Sequence, residues 1–179
     1  MKKGLWIVVF CLVLGGQALA QVEEGDKEVS FLGYFSTFIG EDFDANGTGS
    51  LQISYSKFYT KHLQLGFAPT LTFYTSKNDE NKDVLKTDIA ASVFMNLNMA
   101  TASKVVPYLT AQFYQYTFDI DTDNDEKFTD YSFVNVGLGF KNFINEYAAF
   151  NTLVTYGFSL REEAEGGILM VMTGLSFIF

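Results

Sequence analysis

The sequence predicts an all-β protein: an eight-stranded antiparallel up-and-down β-barrel that crosses a membrane on its strands. Three observations carry this prediction. Apolar and polar residues alternate with a period of two through eight segments, the signature of strands with two unlike faces. The polar faces hold Gln, Ser, Thr, Asn and Gly with almost no charge. Such a row is wrong for a surface in bulk water and right for the crowded interior of a narrow barrel. Finally, residues 1–20 read as a secretory signal.

That signal has a positive start at Lys2 and Lys3, an apolar stretch over residues 5–14, and an Ala18-Leu19-Ala20 cleavage site. The apolar stretch is too short for a spanning helix. Cys11 raises a lipoprotein signal, but Phe10 stands where a small residue must precede a lipidated cysteine. The expected domains are therefore a signal peptide, 1–20, and a barrel, 21–179. Cys11 is the only cysteine, so no thiol is expected after processing. The formal charge of −9 becomes −11 once the two lysines leave (−9 − 2). An acidic chain lacks the cations that bind phosphate backbones, so no nucleic-acid partner is expected. Two prolines and 17% aromatic residues favour strands.

The strands are placed at 28–39, 49–58, 62–75, 87–99, 104–118, 129–143, 147–160 and 168–179. In the second, Leu51, Ile53 and Tyr55 oppose Gln52, Ser54 and Ser56. The third sets Leu63, Leu65, Phe67, Leu71 and Phe73 against Gln64, Gly66, Ala68, Thr70 and Thr72. In the fourth, Ile89, Ala91, Val93, Met95 and Leu97 oppose Asp88, Ala90, Ser92 and Asn96. Val134, Val136, Leu138 and Phe140 of the sixth oppose Asn135, Gly137, Gly139 and Lys141. The seventh sets Phe150, Thr152, Val154, Tyr156 and Phe158 against Asn151, Thr155, Gly157 and Ser159. Leu169, Val171, Leu175, Phe177 and Phe179 form the apolar row of the last. A soluble sandwich would carry Lys and Glu on its polar row. Here charges collect between strands, so the apolar row is assigned to lipid, where charge is costly.

Connections at 58–61, 99–104 and 143–147 are short; those at 40–48, 76–86, 119–128 and 161–167 are longer and charged. Membrane barrels have short periplasmic turns and long external loops, which puts both termini in the periplasm. Aromatics near the turns form two expected girdles. One comprises Phe58, Tyr59, Phe143, Tyr147, Phe177 and Phe179; the other comprises Phe73, Phe118, Phe128, Tyr131 and Phe158. Asp88 and Lys141 are the expected interior charges, too far apart to pair. Tyr74, Phe94, Tyr108, Tyr114 and Tyr116 are expected to help fill an interior just wide enough for its side chains.

The eight alternating rows, Val136-Gly137-Leu138-Gly139-Phe140, Pro107-Tyr108-Leu109 and the final Leu175-Ser176-Phe177-Ile178-Phe179 together resemble the small eight-stranded bacterial outer-membrane β-barrel family, of the OmpX and OmpA-transmembrane type. The resemblance covers the whole chain after the signal. It implies residence in the bacterial outer membrane, with outer-membrane lipid and lipopolysaccharide as surroundings. It also implies that the barrel assembly machinery reads the last strand, through Leu175, Phe177 and Phe179. Its motifs specify architecture well and activity poorly, since the family spans adhesins, structural proteins, small-molecule passages and a few lipid A enzymes.

Few residues invite chemistry. His62, the one histidine, falls at a short turn, the wrong end for the barrel deacylases that place a His and a Ser near the outer leaflet. It is read as a solvated rim residue, and no catalytic residues are expected. Asp119, Asp121, Asp123 and Asp125 alternate in one loop, with Asp130 at the twelfth place of an EF-hand count starting at Asp119. Such carboxylates can converge on Ca²⁺. However, Asn124 stands where the turn glycine belongs, Asp130 replaces a bidentate Glu, and the flanks are strands. The favoured reading is a solvated acidic loop with weak Ca²⁺ association and no true cofactor. Asn46-Gly47-Thr48 reads as turn chemistry, since Asn-Gly takes positive φ readily. Lys77, Lys82, Lys86, Lys127 and Arg161 lie where lipopolysaccharide phosphates could meet them, or serve loop solubility.

The functional expectation is a non-enzymatic structural or surface-interaction barrel with acidic external loops and an unknown extracellular ligand. The alternative is passage of small apolar solutes, as in the OmpW type; a lipid-modifying enzyme is the remote third. A wide interior would favour passage, a filled one the loops.

Overall fold

Eight antiparallel strands follow one another around a closed barrel: β1 (Lys27–Thr37), β2 (Gly47–Phe58), β3 (Leu63–Lys77), β4 (Asp83–Asn98), β5 (Val105–Tyr116), β6 (Ser132–Phe143), β7 (Ala148–Ser159) and β8 (Gly167–Ile178). This is a computed structural model describing residues 22–37, 47–77, 83–116, 132–160 and 167–179. The signal region and the acidic loop at 119–130 lie outside the described residues. Closure comes from β1 pairing with β8, Glu28↔Ile178 through Gly33↔Thr173.

The expected faces hold. Leu51, Ile53 and Phe150 are exposed, as are Val136, Leu138, Leu175 and Phe177, while Gln52, Ser54, Asn135, Asn151 and Ser176 are buried. The period of two puts one row outside and one inside, and lipid satisfies the outer row because closed ladders leave the wall few free backbone groups. The apolar row of β3, from Leu63 to Phe73, rises roughly 25 Å at the usual strand tilt of such barrels, the height of their hydrocarbon-facing band.

The β3–β4 hairpin differs from expectation. Its ladder runs unbroken from Leu63↔Leu97 to Lys77↔Asp83, so most of 76–86 is strand rather than loop. The charges of Lys77, Asp83 and Lys86 suggested a connection. Beyond the lipid, however, two paired strands carry charge at no penalty. Pro69 sits within β3, pairing with Ala91 of β4. The β2–β3 ladder skips the positions Ile53/Pro69 and Ser54/Ala68, because proline has no N–H to donate.

Candidate functional site: the filled lumen

The inward rows decide what the barrel can do. At the end bearing the short turns, Val22, Phe58, Val106, Phe143, Ala149 and Ile178 pack into a buried apolar cluster. The segment before β1 folds under the opening to supply Val22. Gly25, at φ +98°, makes the turn that only glycine adopts readily. Its N–H donates to the Phe58 carbonyl at 2.8 Å, and the Phe58 N–H to the Asp26 carbonyl at 2.8 Å. Phe58 and Phe143 are thus corrected: expected in an aromatic girdle, they are 0% and 1% exposed. Each shares parity with its strand's polar row, Ser54 and Ser56 for Phe58, Gly139 and Lys141 for Phe143, so the pleat turns it inward. Tyr59, Tyr147, Phe177 and Phe179 remain exposed on that rim.

Above this plug lies an ion pair. Lys141 Nζ stands 2.5 Å from Glu28 Oε2, with side-chain exposures of 1% and 3%. It also donates to Gln64 Oε1 at 2.9 Å and lies over the rings of Phe58 and Tyr108, 5.1 and 5.2 Å from their centroids. As expected, Lys141 does not pair with Asp88, which is exposed at the other mouth; its partner is Glu28, an interior charge that the expected set of Asp88 and Lys141 left out.

Hydrogen bonds extend from this pair in both directions. Ser30 Oγ donates to Glu28 Oε1 at 2.7 Å. With that proton committed, the 2.8 Å contact between Ser30 and Ser176 must be donated by Ser176. Asn151 Nδ2 donates to Ser176 Oγ at 3.1 Å, and Tyr108 OH to Asn151 Oδ1 at 2.9 Å. On the other side, Asn96 Nδ2 donates to Gln64 Oε1 at 3.1 Å and Gln64 Nε2 to Ser56 Oγ at 2.6 Å. The network takes at least one residue from every strand. Room for the Tyr108 ring comes from Gly139, its partner across β5 and β6; any Cβ there would overlap the ring.

Farther up, Leu32, Tyr108, Leu153 and Met172 form a second apolar layer, with Tyr34 against it. Then polar groups return: Gln52 Nε2 donates to Tyr114 OH at 2.8 Å, and Tyr114 OH meets Thr70 Oγ1 at 2.5 Å. Two small interior cavities lie among the described residues. One, about 20 Å³, is lined by Glu28, Gln52, Asn96 and Gln112 among others. The other, about 30 Å³, lies among Tyr34, Thr70, Tyr114, Phe133 and Met172. A single water needs roughly 10–15 Å³ by the same measure, so neither cavity is a passage.

The remaining expected residues scatter. His62 is exposed at the β2–β3 turn, its Nδ1 2.8 Å from the Asn98 carbonyl. Phe94 turns inward over Gly66. The side chains of Tyr74 and Tyr116, and all of Asp119, Asp121, Asp123, Asp125 and Asp130, fall outside the described residues. Among the described residues no group of three His, Cys, Asp or Glu side chains could hold a metal. Leu175 and Phe177 are exposed on β8. Phe179 exchanges backbone hydrogen bonds with Lys27, at 2.9 and 3.0 Å.

A closed eight-stranded wall, apolar outside and filled inside, has the fold of the small outer-membrane β-barrels. Solved structures agree. The N-terminal β-barrel domain of Pseudomonas aeruginosa OprF matches with a TM-score of 0.57 at 15% identity, over 88% of this chain and 100% of that one. The outer membrane protein OprG from the same organism matches with a TM-score of 0.55 at 14% identity, over 90% and 99%. A de novo designed transmembrane β-barrel matches with 0.51 at 16%, over 89% and 99%. At these identities the likeness is one of fold. No family model matches the sequence, and no curated protein matches it.

Proposed function

We propose that this protein is a non-enzymatic integral barrel of the bacterial outer membrane, with its short turns and termini in the periplasm. Its role is structural or one of surface interaction, carried by the long acidic loops. The observation that supports this reading is the filled lumen: among the described residues an apolar plug, a hydrogen-bonded layer and a second apolar layer enclose cavities of about 20 and 30 Å³. A wall so filled serves as a scaffold, and what varies functionally on such scaffolds sits on the loops. The test is conductance in planar bilayers. Pure folded protein should give no steady single-channel current; reproducible nanosiemens steps would overturn the reading.

Passage of small apolar solutes is the second reading, and one observation favours it. The β2–β3 ladder is interrupted beside Pro69, at mid-height in the lipid-facing wall. Behind the interruption stand Gln52, Thr70 and Tyr114, bonded to one another, which is why the first reading is preferred.

A further inference from the structure

Two lysines stand side by side on the outside of the wall. Lys27 and Lys57 are direct cross-strand partners at the short-turn end of β1 and β2, and both are exposed. Each shares parity with its strand's lipid-facing row, Phe31 for Lys27, Ile53 and Tyr55 for Lys57. Directly opposed partners stand about 5 Å apart at Cβ, and like charges so placed repel. Among the described residues neither ammonium forms an ion pair. The carboxylate of Asp26 accepts from the Glu23 N–H instead, at 2.8 Å. The Phe179 carbonyl oxygen is taken by the Lys27 backbone N–H, at 2.9 Å. Lys57 Nζ lies 5.7 Å from the centre of the exposed Tyr59 ring, at the level where the apolar row ends.

A groove opens beside the pair. Leu65 of β3 is the other cross-strand partner of Lys57. It forms the near wall of an apolar groove of about 550 Å³ in the outer face of the sheet, with Val93, Met95, Phe113 and Val134 along its sides. Ala111 is the floor. Its neighbours are Met95 and Val136 across the sheet and Leu109 and Phe113 along β5, so it is one short side chain among long ones. Because the strands are tilted, the line of partners from Lys57 through Leu65 and Met95 to Ala111 climbs away from the turns. Lys57 is next to last in β2, whereas Ala111 is the seventh residue of β5. Positive charge thus stands where the wall meets water, and an apolar trough follows where it meets hydrocarbon.

We propose that Lys27, Lys57 and the groove over Ala111 form a binding site for an anionic phospholipid. Its phosphate lies between the two ammoniums and relieves their repulsion; one acyl chain lies in the groove. Charge selects the occupant. Any lipid tail fills an apolar trough, but a net negative head group is drawn to basic side chains at a membrane surface, by about fivefold for each lysine. Tyr59 suits the same boundary, with an apolar ring and a wet hydroxyl. The proposed periplasmic placement of the short turns puts this boundary in the phospholipid leaflet. The site owes nothing to the loop-borne role proposed above.

The test uses the full processed chain, without Trp6, the sole tryptophan, so introduced tryptophans report alone. Leu65→Trp reports from the groove. Phe150→Trp, likewise the third residue of its strand, reports from the same height elsewhere on the wall. Each is reconstituted in phosphatidylcholine vesicles and quenched by lipids brominated on their acyl chains. Brominated phosphatidylglycerol should associate at Leu65→Trp about tenfold or more tightly than brominated phosphatidylcholine, and Phe150→Trp should prefer neither. Lys27→Gln/Lys57→Gln should abolish the preference at Leu65→Trp. Ala111→Leu, which fills the groove, should weaken phosphatidylglycerol association there at least about threefold. Gel mobility of folded against unfolded barrel checks that each variant is folded. Equal quenching by the two lipids at Leu65→Trp would overturn the proposal. So would a preference that survives the lysine substitutions, one shared by Phe150→Trp, or one that Ala111→Leu leaves untouched. Both leaflets of these vesicles are alike, so the result does not depend on which way the barrel inserts, and failure here is separable from failure of the proposed orientation.

Discussion

Replacing Lys141 by methionine tests whether the lumen pair holds the barrel together. The substitution keeps the unbranched shape of the stem and removes the charge. Glu28 would then be left 2% exposed, retaining Ser30 but losing its counter-charge at 2.5 Å. Gln64 Oε1 would keep Asn96 and lose the ammonium. Stranding one member of a buried pair costs about 3–5 kcal/mol. That is a large part of the 5–15 kcal/mol available to a typical domain. The double variant Glu28→Gln/Lys141→Met strands no charge and should recover most of the loss, since neutral replacement of a buried pair is often tolerated. Urea unfolding in lipid vesicles, read by gel mobility of folded against unfolded barrel, compares the unsubstituted protein, Lys141→Met, Glu28→Gln and the double variant, the four corners of the cycle. A loss below about 1 kcal/mol for Lys141→Met, the scale of an exposed pair, would show that water reaches Glu28. A double variant as unstable as the single would show that packing, not charge, is at stake.

Three further outcomes are expected. Gly139→Ala should destabilise the barrel by about 1–3 kcal/mol through overpacking, because its methyl overlaps the Tyr108 ring; Tyr108→Leu in the same chain should relieve part of that loss in the same urea assay. Phe179→Ala should lower the folded fraction in cells more than refolding yield in detergent, and equal losses in both would reduce Phe179 to a packing residue. Calcium titration of the Asp119–Asp130 amides by NMR should give weak, non-saturating shifts that moderate salt abolishes; saturable shifts lost in Asp121→Asn and Asp123→Asn would establish a site.

Period two made the wall legible from sequence, because a residue's face depends only on its parity along one strand. Leu51, Ile53, Phe150 and Leu175 follow from it directly. Phe58 and Phe143 were legible too, since their parity matches Ser56 and Lys141, but their position near turns pointed to the girdle. Parity should have outweighed position there. The Glu28–Lys141 pair was not legible. The two residues are separated by 113 positions, and their meeting depends on the stagger between strands around the whole barrel. Alternation along each strand says nothing about stagger.

The two faces of this wall contribute differently to its rigidity. Once the barrel is in lipid, Leu51 or Phe150 exchanges one apolar neighbour for another, so the outer row contributes insertion rather than shape. What holds the shape within the membrane is packing and polar pairing, and here both are inside. The network that runs from Tyr108 through Asn151, Ser176, Ser30, Glu28, Lys141 and Gln64 to Asn96 and Ser56 ties all eight strands at one level. Apolar layers above and below separate it from bulk water, and a shielded hydrogen bond is electrostatically stronger than one in water. The same filling that closes a passage therefore makes a stiff support.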